Sequence, residues 1–320
     1  MDIGIQVEGQ EGLTAERWAR LARRVEELGL HGLWRSDHFI SDMGPPDRPC
    51  LETWTSLTAL AFLTTRIEFG TLVSPMTFRH PALLARMAAA VDNFSAGRLT
   101  LGVGAGWNEA EHRIYGIPFP PVGERIRRLE EGIGVIRALW AGGPVTLDGQ
   151  YFPLRGATGY PLPRQDPGPK ILLGGDGERM LRLIARTADE WNSTLGSPEA
   201  YRQRRDLLVS HCLEIGRDPD AIARSWMGGL CIGSTPAEVA DRLAWSREFL
   251  ANGATGPDLV RISVDDLVRD GAWVAGTPDQ VARRLAAWGQ VGVRRVMLQW
   301  FDLDDLDGLA LVAEVARAVA

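Results

Sequence analysis

The chain has 320 residues, 45% of them hydrophobic and 24% charged, with a formal net charge of -6; this is ordinary globular composition, and the length suffices to bury a core without disulfides or metal. The negative balance argues against a nucleic-acid or anionic-membrane partner, and no stretch approaches the ~18 apolar residues a membrane span needs. Cys50, Cys212 and Cys231 are scattered with no CxxC pair, and MDIGIQVEGQ at the start has neither a basic nor an apolar leader region, so the expectation is a reducing cytoplasm and no metal site.

Strands alternate with amphipathic helices, the pattern of a parallel sheet. Strand one is Asp2–Val7, and a helix over about Ala15–Leu28 is stopped by Gly29. Strand two, His31–Asp37, leads to a helix over about Leu51–Thr64 and strand three, Ile67–Val73. Pro81 opens the third helix, where its missing N–H is harmless. Strand four is Arg98–Ala105, followed by a helix over about Gly123–Trp140. The Pro- and Gly-rich Ala141–Pro169 is too long for a plain turn and is read as an insertion packed on the domain. Strand five (Lys170–Gly175), a helix (Glu178–Thr187), strand six (Asp189–Ser193) and a helix (Pro198–Ile215) continue the alternation. Strand seven is Ser225–Ile232, and Thr235-Pro236 opens another helix. A looser stretch, Asn252–Gly276, precedes a second Thr-Pro helix start at Thr277-Pro278, then strand eight, Val293–Trp300, and a last helix, Leu306–Val319.

Eight such units predict a single (β/α)8 TIM barrel over residues 1–320, with insertions at about 141–169 and 252–276. A doubly wound open sheet or two smaller α/β domains would not need eight units, and no GxGxxG follows strand one. Function in a barrel sits at the C-terminal ends of its strands. The basic residues are nearly all arginine, and the only lysine, Lys170, begins strand five on the opposite face. Schiff-base chemistry, which needs that amine at the mouth, is thereby excluded.

Three strand ends carry candidate chemistry. Strand two ends in Asp37-His38, a carboxylate beside an imidazole that can place or relay a proton; a helix-cap aspartate with an incidental surface histidine is the bland alternative, and local sequence leaves both open. Strand four ends in Gly104-Ala105-Gly106-Trp107, where glycines let the backbone approach a ligand and Trp107 can wall a ring; tight turns alone explain many such runs. Glu109, Glu111 and His112 follow without metal-ligand spacing, and a solvated and hydrogen-bonded loop is the better reading for Glu109 and His112. Strand five ends in Gly174-Gly175-Asp176-Gly177 directly before a helix, a ready phosphate cradle or an ordinary turn. Together the three ends suit a cofactor with a flat ring and a phosphate tail. Trp18, Trp54, Trp140 and Trp288 fall within helices and read as packing, and Arg79-His80-Pro81 as mainly a turn device.

At these residues the sequence resembles the luciferase-like superfamily, specifically its deazaflavin-dependent oxidoreductase branch. The matching segments are Arg35–Phe39, Gly70–Pro81, Asp92–Arg125 and Lys170–Asn192. The resemblance implies a cofactor ring across the strand mouths, with Asp37 and His38 near it and Leu72-Val73 forming a bulge behind it through a non-proline cis peptide. Gly104, Ala105, Gly106 and Trp107 would line ring and tail, and Gly174, Gly175 and Gly177 would hold the phosphate. His38 and Asp37 are the expected catalytic pair, His38 as the proton-transfer group; strand alternation points the two side chains apart, so Asp37 is expected to contact the cofactor instead of orienting His38. Where some deazaflavin-dependent relatives carry a catalytic glutamate this chain has Trp107, which argues against a sugar-phosphate dehydrogenase, and Glu111 lies too far along to be an obvious substitute.

The expected activity is hydride transfer between coenzyme F-420 and a small organic substrate. An FMN-dependent monooxygenase is the runner-up, and a catalytically silent flavin- or deazaflavin-binding protein the alternative from another class. A phosphate-ligand lyase or isomerase barrel loses its support with the missing lysine. The superfamily commonly forms dimers, so a homodimer is expected.

Overall fold

In the computed structural model, which describes residues 1–45, 47–251 and 263–320, eight parallel strands close into a barrel. They are β1 (Asp2–Val7), β2 (Gly32–Arg35), β3 (Glu68–Thr71), β4 (Leu99–Gly104), β5 (Lys170–Gly174), β6 (Glu190–Ser193), β7 (Ala223–Ile232) and β8 (Arg295–Gln299). Strands adjacent in the chain are adjacent in the ring, and β8 closes it against β1 with Ile5 opposite Leu298. Helices cover the outside: α1 (Ala15–Glu27), α2 (Thr53–Leu63), α3 (Pro81–Phe94), α4 (Glu109–Ile114), α5 (Val122–Trp140), α6 (Glu178–Thr187), α7 (Pro198–Glu214), α8 (Pro236–Ala251), α9 (Val264–Arg269), α10 (Pro278–Gln290) and α11 (Gly308–Val319).

The packing follows from side-chain period. On α1, Trp18, Leu21, Ala22 and Val25 recur at helical spacing and are buried, and the Thr14 side chain caps the first turn. Outward-facing strand residues such as Ile3, Ile5, Leu33 and Leu101 join them in one continuous core. All four helical tryptophans, Trp18, Trp54, Trp140 and Trp288, are buried there. Inside the barrel a separate plug is made by Trp34, Leu72, Leu172 and Met297. Room for it comes from small neighbours: a Cβ at Gly4 would lie 2.3 Å from the Trp34 ring and one at Gly32 2.5 Å from it.

At the N-terminal face of the barrel, Arg295 donates to Glu190 at 3.1 Å and Glu68 at 2.8 Å, and its guanidinium lies 5.0 Å from the centre of the Trp34 ring. His31 stands 3.3 Å from Glu68. Its hydrogen bond, against the effect of burial and with the charge of Arg295, holds Glu68 down at about 2. Lys170 lies on this face, at the start of β5.

Two regions differ from expectation. The Ala141–Pro169 insertion is not wholly irregular. It holds an antiparallel hairpin, Val145–Leu147 with Leu154–Ala157, tied to α5 by Glu131, which accepts from the backbone N–H of Gln150, Tyr151 and Phe152. The stretch read as loose from Asn252 to Gly276 contains α9 and a further strand, Trp273–Gly276; its residues 252–262 lie outside the described residues. That strand pairs with the far half of the ten-residue β7, Gly229 opposite Trp273. Four residues after a Gly-Ala turn are too short to show a period, so tertiary pairing decides it.

Candidate active site

Alternation along β2 and its extension sorts the residues of its C-terminal end. Trp34 points into the barrel, and Ser36 and His38 share that side; Arg35 and Asp37 face the helices. Asp37 is 1% exposed and fully committed: Arg79 and the Ser74 hydroxyl both donate to its carboxylate at 2.5 Å. Arg79 also reaches Glu52 at 2.9 Å. Asp37 is therefore an anchor for the β3–α3 loop, and Arg79 is more than a turn device.

The carboxylate beside His38 is Glu111. His38 Nδ1 lies 2.8 Å from Glu111 Oε2, and the Phe39 N–H donates to Oε1 of the same group. Glu111 has no exposed side-chain surface, so it can hold the ring in one orientation, and Nε2 has no protein partner among the described residues. Burial works against a charged ring at His38. The hydrogen bond and charge of Glu111, with Asp42 and Glu8 behind it, override this and push His38 up to about 9.

Glu111 reaches that place on α4, a short helix capped by Asn108, whose Oδ1 accepts from the Glu111 N–H at 3.1 Å. His112 is buried, not solvated as the local sequence suggested. Its Nδ1 donates to Asn108 O at 2.6 Å, and its Nε2 lies 2.7 Å from Thr77 Oγ1. The ring packs between Phe78 and Phe119, at 4.9 and 4.7 Å. This strap fixes the β4–α4 loop to the β3–α3 loop. A signal for the cap was present, since Asn108-x-x-Glu111 is a capping pattern; nothing local pairs Glu111 with a residue 73 positions earlier.

The glycine-rich ends are shaped differently. The Leu72–Val73 peptide is cis, and a Cβ at Gly104 would fall 2.7 Å from Val73 Cγ2. Gly106 has φ 81°, a conformation that favours glycine. Ala105 packs toward the outer core, while Trp107 is 61% exposed and meets His38 edge-on at 5.6 Å. On the β5 side an added Cβ at Gly174 or Gly177 would meet nothing within 4 Å. Gly177 caps α6 with no side-chain hydrogen bond, so the first-turn N–H groups stay available. Gly175 takes φ 123°. Beside this open cradle Asp176 Oδ1 is buried without a partner among the described residues, and burial raises the Asp176 carboxyl above its usual range. An open shelf of amide donors and a spare acceptor fit a phosphate tail with attached hydroxyls.

Fold and site together define a (β/α)8 barrel with a candidate site at the C-terminal ends of its strands. The chain belongs to the luciferase-like monooxygenase family, whose profile matches residues 3–295. It is 29% identical over 284 residues to a phthiodiolone/phenolphthiodiolone dimycocerosates ketoreductase of Mycobacterium tuberculosis (strain ATCC 25618 / H37Rv), covering 77% of this chain and 73% of that one. It is 37% identical over 186 residues to an F420-dependent glucose-6-phosphate dehydrogenase of Microbacterium testaceum (strain StLB037), covering 56% and 53%. An FMNH(2)-dependent dimethylsulfone monooxygenase of Pseudomonas putida is 26% identical over 299 residues, covering 87% and 81%. Among solved structures, an F420-dependent secondary alcohol dehydrogenase in complex with an F420-acetone adduct superposes with a TM-score of 0.86 at 20% identity, covering 100% of this chain and 99% of that one; at that identity the likeness concerns the fold. No helix among the described residues is long and apolar enough to cross a membrane.

Proposed function

We propose that the protein reduces a small carbonyl compound with a deazaflavin, coenzyme F-420, as hydride carrier. The observation that carries this reading is His38, held at Nδ1 by buried Glu111 and pushed up to about 9. At neutral pH such a ring is charged and able to give a proton from Nε2 to a carbonyl oxygen as hydride reaches the carbon. When bound, the deazaflavin supplies the hydride. The chain would do the rest: the amides of Gly174–Gly177 would hold the phosphate tail, Gly104 and Gly106 would leave room for the ring, and Trp107 would lie against it. Glu111 keeps His38 oriented and charged.

The choice of deazaflavin is supported by the higher identity to an F420-dependent relative, 37%, than to an FMNH(2)-dependent one, 26%. The second reading, an FMN-dependent monooxygenase, draws on the wider coverage of that second relative, 87% of this chain. Titrating F-420 and FMN against the protein while following ligand fluorescence separates them. Tighter binding of F-420 is expected; tighter binding of FMN, with oxygen consumed on reduction, overturns the proposal.

A further inference from the structure

The rim beside the glycine cradle is built by the first two turns of neighbouring helices α5 and α6, and it carries more arginine than its acids balance. Arg125, Arg127 and Arg128 stand on α5, Arg179 and Arg182 on α6. The acids are used within their own helices: Glu124 pairs with Arg128 at 2.8 Å, and Glu178 with Arg182 at 2.6 Å. Asp176, in the cradle itself, has Arg204 as the cation acting on it.

The other three arginines bond to uncharged groups. Arg127 donates to the Tyr151 hydroxyl at 3.0 Å, Arg179 to the Gly123 carbonyl at 3.1 Å and Arg125 to the Pro120 carbonyl at 2.6 Å. No carboxylate pairs with them among the described residues, although Glu109 acts on Arg125 and Glu124 on Arg127 from farther off. Arg125 is buried against Phe119, and its Nε has no partner among the described residues. Arg127 and Arg179 are exposed and converge above Gly123: a Cβ added there would lie 3.1 Å from Arg179 Nη1 and 3.8 Å from Arg127 Nη1.

This placement runs against two physical preferences. Like charges repel, so free guanidinium groups would spread apart. Cations are also disfavoured in the first turn of a helix, where unpaired N–H groups already set a positive potential, and Arg179 is the second residue of α6. Local rules broken together at one place are expected where a site, and not the fold, sets the residues. An anion above Gly123 relieves both conflicts and gains charge-assisted hydrogen bonds.

A phosphate in the Gly174–Gly177 cradle would sit at the foot of the same helix. FMN ends at its phosphate, whereas F-420 continues through a phosphodiester into a lactyl chain extended by glutamates, each adding a carboxylate. We propose that Arg127 and Arg179 form an anion subsite for the carboxylates of this chain, so that the rim selects the cofactor by what lies beyond the phosphate. The assignment rests on the deazaflavin reading and on the cradle as the phosphate site.

F-420 with several glutamates and F-420 trimmed to its lactyl end are titrated against the cofactor-free protein by fluorescence, at low and high salt, with FMN alongside. The long-tailed form should bind about three- to tenfold more tightly at low salt, the scale of two exposed ion pairs. That advantage should shrink at high salt, where screening shortens the reach of the charges. Arg127→Gln combined with Arg179→Gln should bring the two forms to within about twofold. Equal binding of the two forms by the unaltered protein, or an advantage that survives the double variant, overturns the subsite alone. FMN bound more tightly than either form, or neither form bound, overturns the deazaflavin reading and the subsite with it.

Discussion

The two ends of the barrel each set a histidine beside a glutamate, yet the two pairs are wired differently. At the N-terminal face His31 lies 3.3 Å from Glu68, and Arg295 closes the circuit by donating to both Glu68 and Glu190. Charge there is balanced within the protein, with Glu68 held at about 2. At the C-terminal mouth His38 has Glu111 on Nδ1 only, with no arginine beside the pair and no protein partner for Nε2 among the described residues. The first arrangement ties strands together; the second leaves one ring nitrogen without a protein partner among the described residues. A histidine–glutamate contact does not by itself mark a functional site, and the ring nitrogen left over is what separates the two.

The comparison can be broken most sharply at His38. His38→Ala should lose about 10²–10⁴-fold in turnover, the usual contribution of a positioned acid, while cofactor affinity stays within a few-fold. Turnover and the cofactor dissociation constant of the variant decide this; near-normal turnover would make the two histidines equivalent.

Arg295→Met tests the other end. It leaves buried Glu190, and half-buried Glu68 beside it, without their cation, and breaking a buried pair costs about 3–5 kcal/mol. Urea unfolding should record that loss while turnover per folded molecule holds steady. A collapse of turnover in the folded variant would show that the ends are coupled.

Glu111→Gln sharpens the comparison with the smallest effect. His38 sits above its ordinary 6.5, at about 9, so the charged pair is complete below pH 6.5 and is lost as pH rises through 9. Carbonyl reduction should accordingly be level through neutral pH and fall above about 9, and the pair's share of stability should follow the same limb. Removing the Glu111 charge should move that limb down by about 1–3 pH units. NMR titration of the His38 ring checks it, and an unmoved midpoint would detach Glu111 from the proton.

The barrel was legible because its signals are periodic: eight strands, helices with Pro or Thr-Pro starts, and glycine stops repeat along the chain. Trp273–Gly276 was not, since its pairing with the end of β7 has no local trace. At the site, His38 follows from its strand end, and strand alternation already turned Asp37 away from it. The partner of His38 was not found, because distance along the chain says nothing of distance across strand ends. Glu111 was weighed only against a glutamate that relatives carry at the position of Trp107, yet α4 brings it to the His38 ring. Arg79 read as a turn residue, because its task is to pair with an aspartate 42 positions earlier.

Trp34 gives the barrel a solid floor. With Gly4 and Gly32 yielding their side-chain space to its indole, and Leu72, Leu172 and Met297 packed around it, the interior is a cup and not a tunnel. Everything that reaches His38 must enter over one rim and leave over the same rim. If cofactor and substrate both bind at this mouth, as proposed, they share one doorway, and an ordered pattern of product inhibition is the expected kinetic consequence of the space that Trp34 fills.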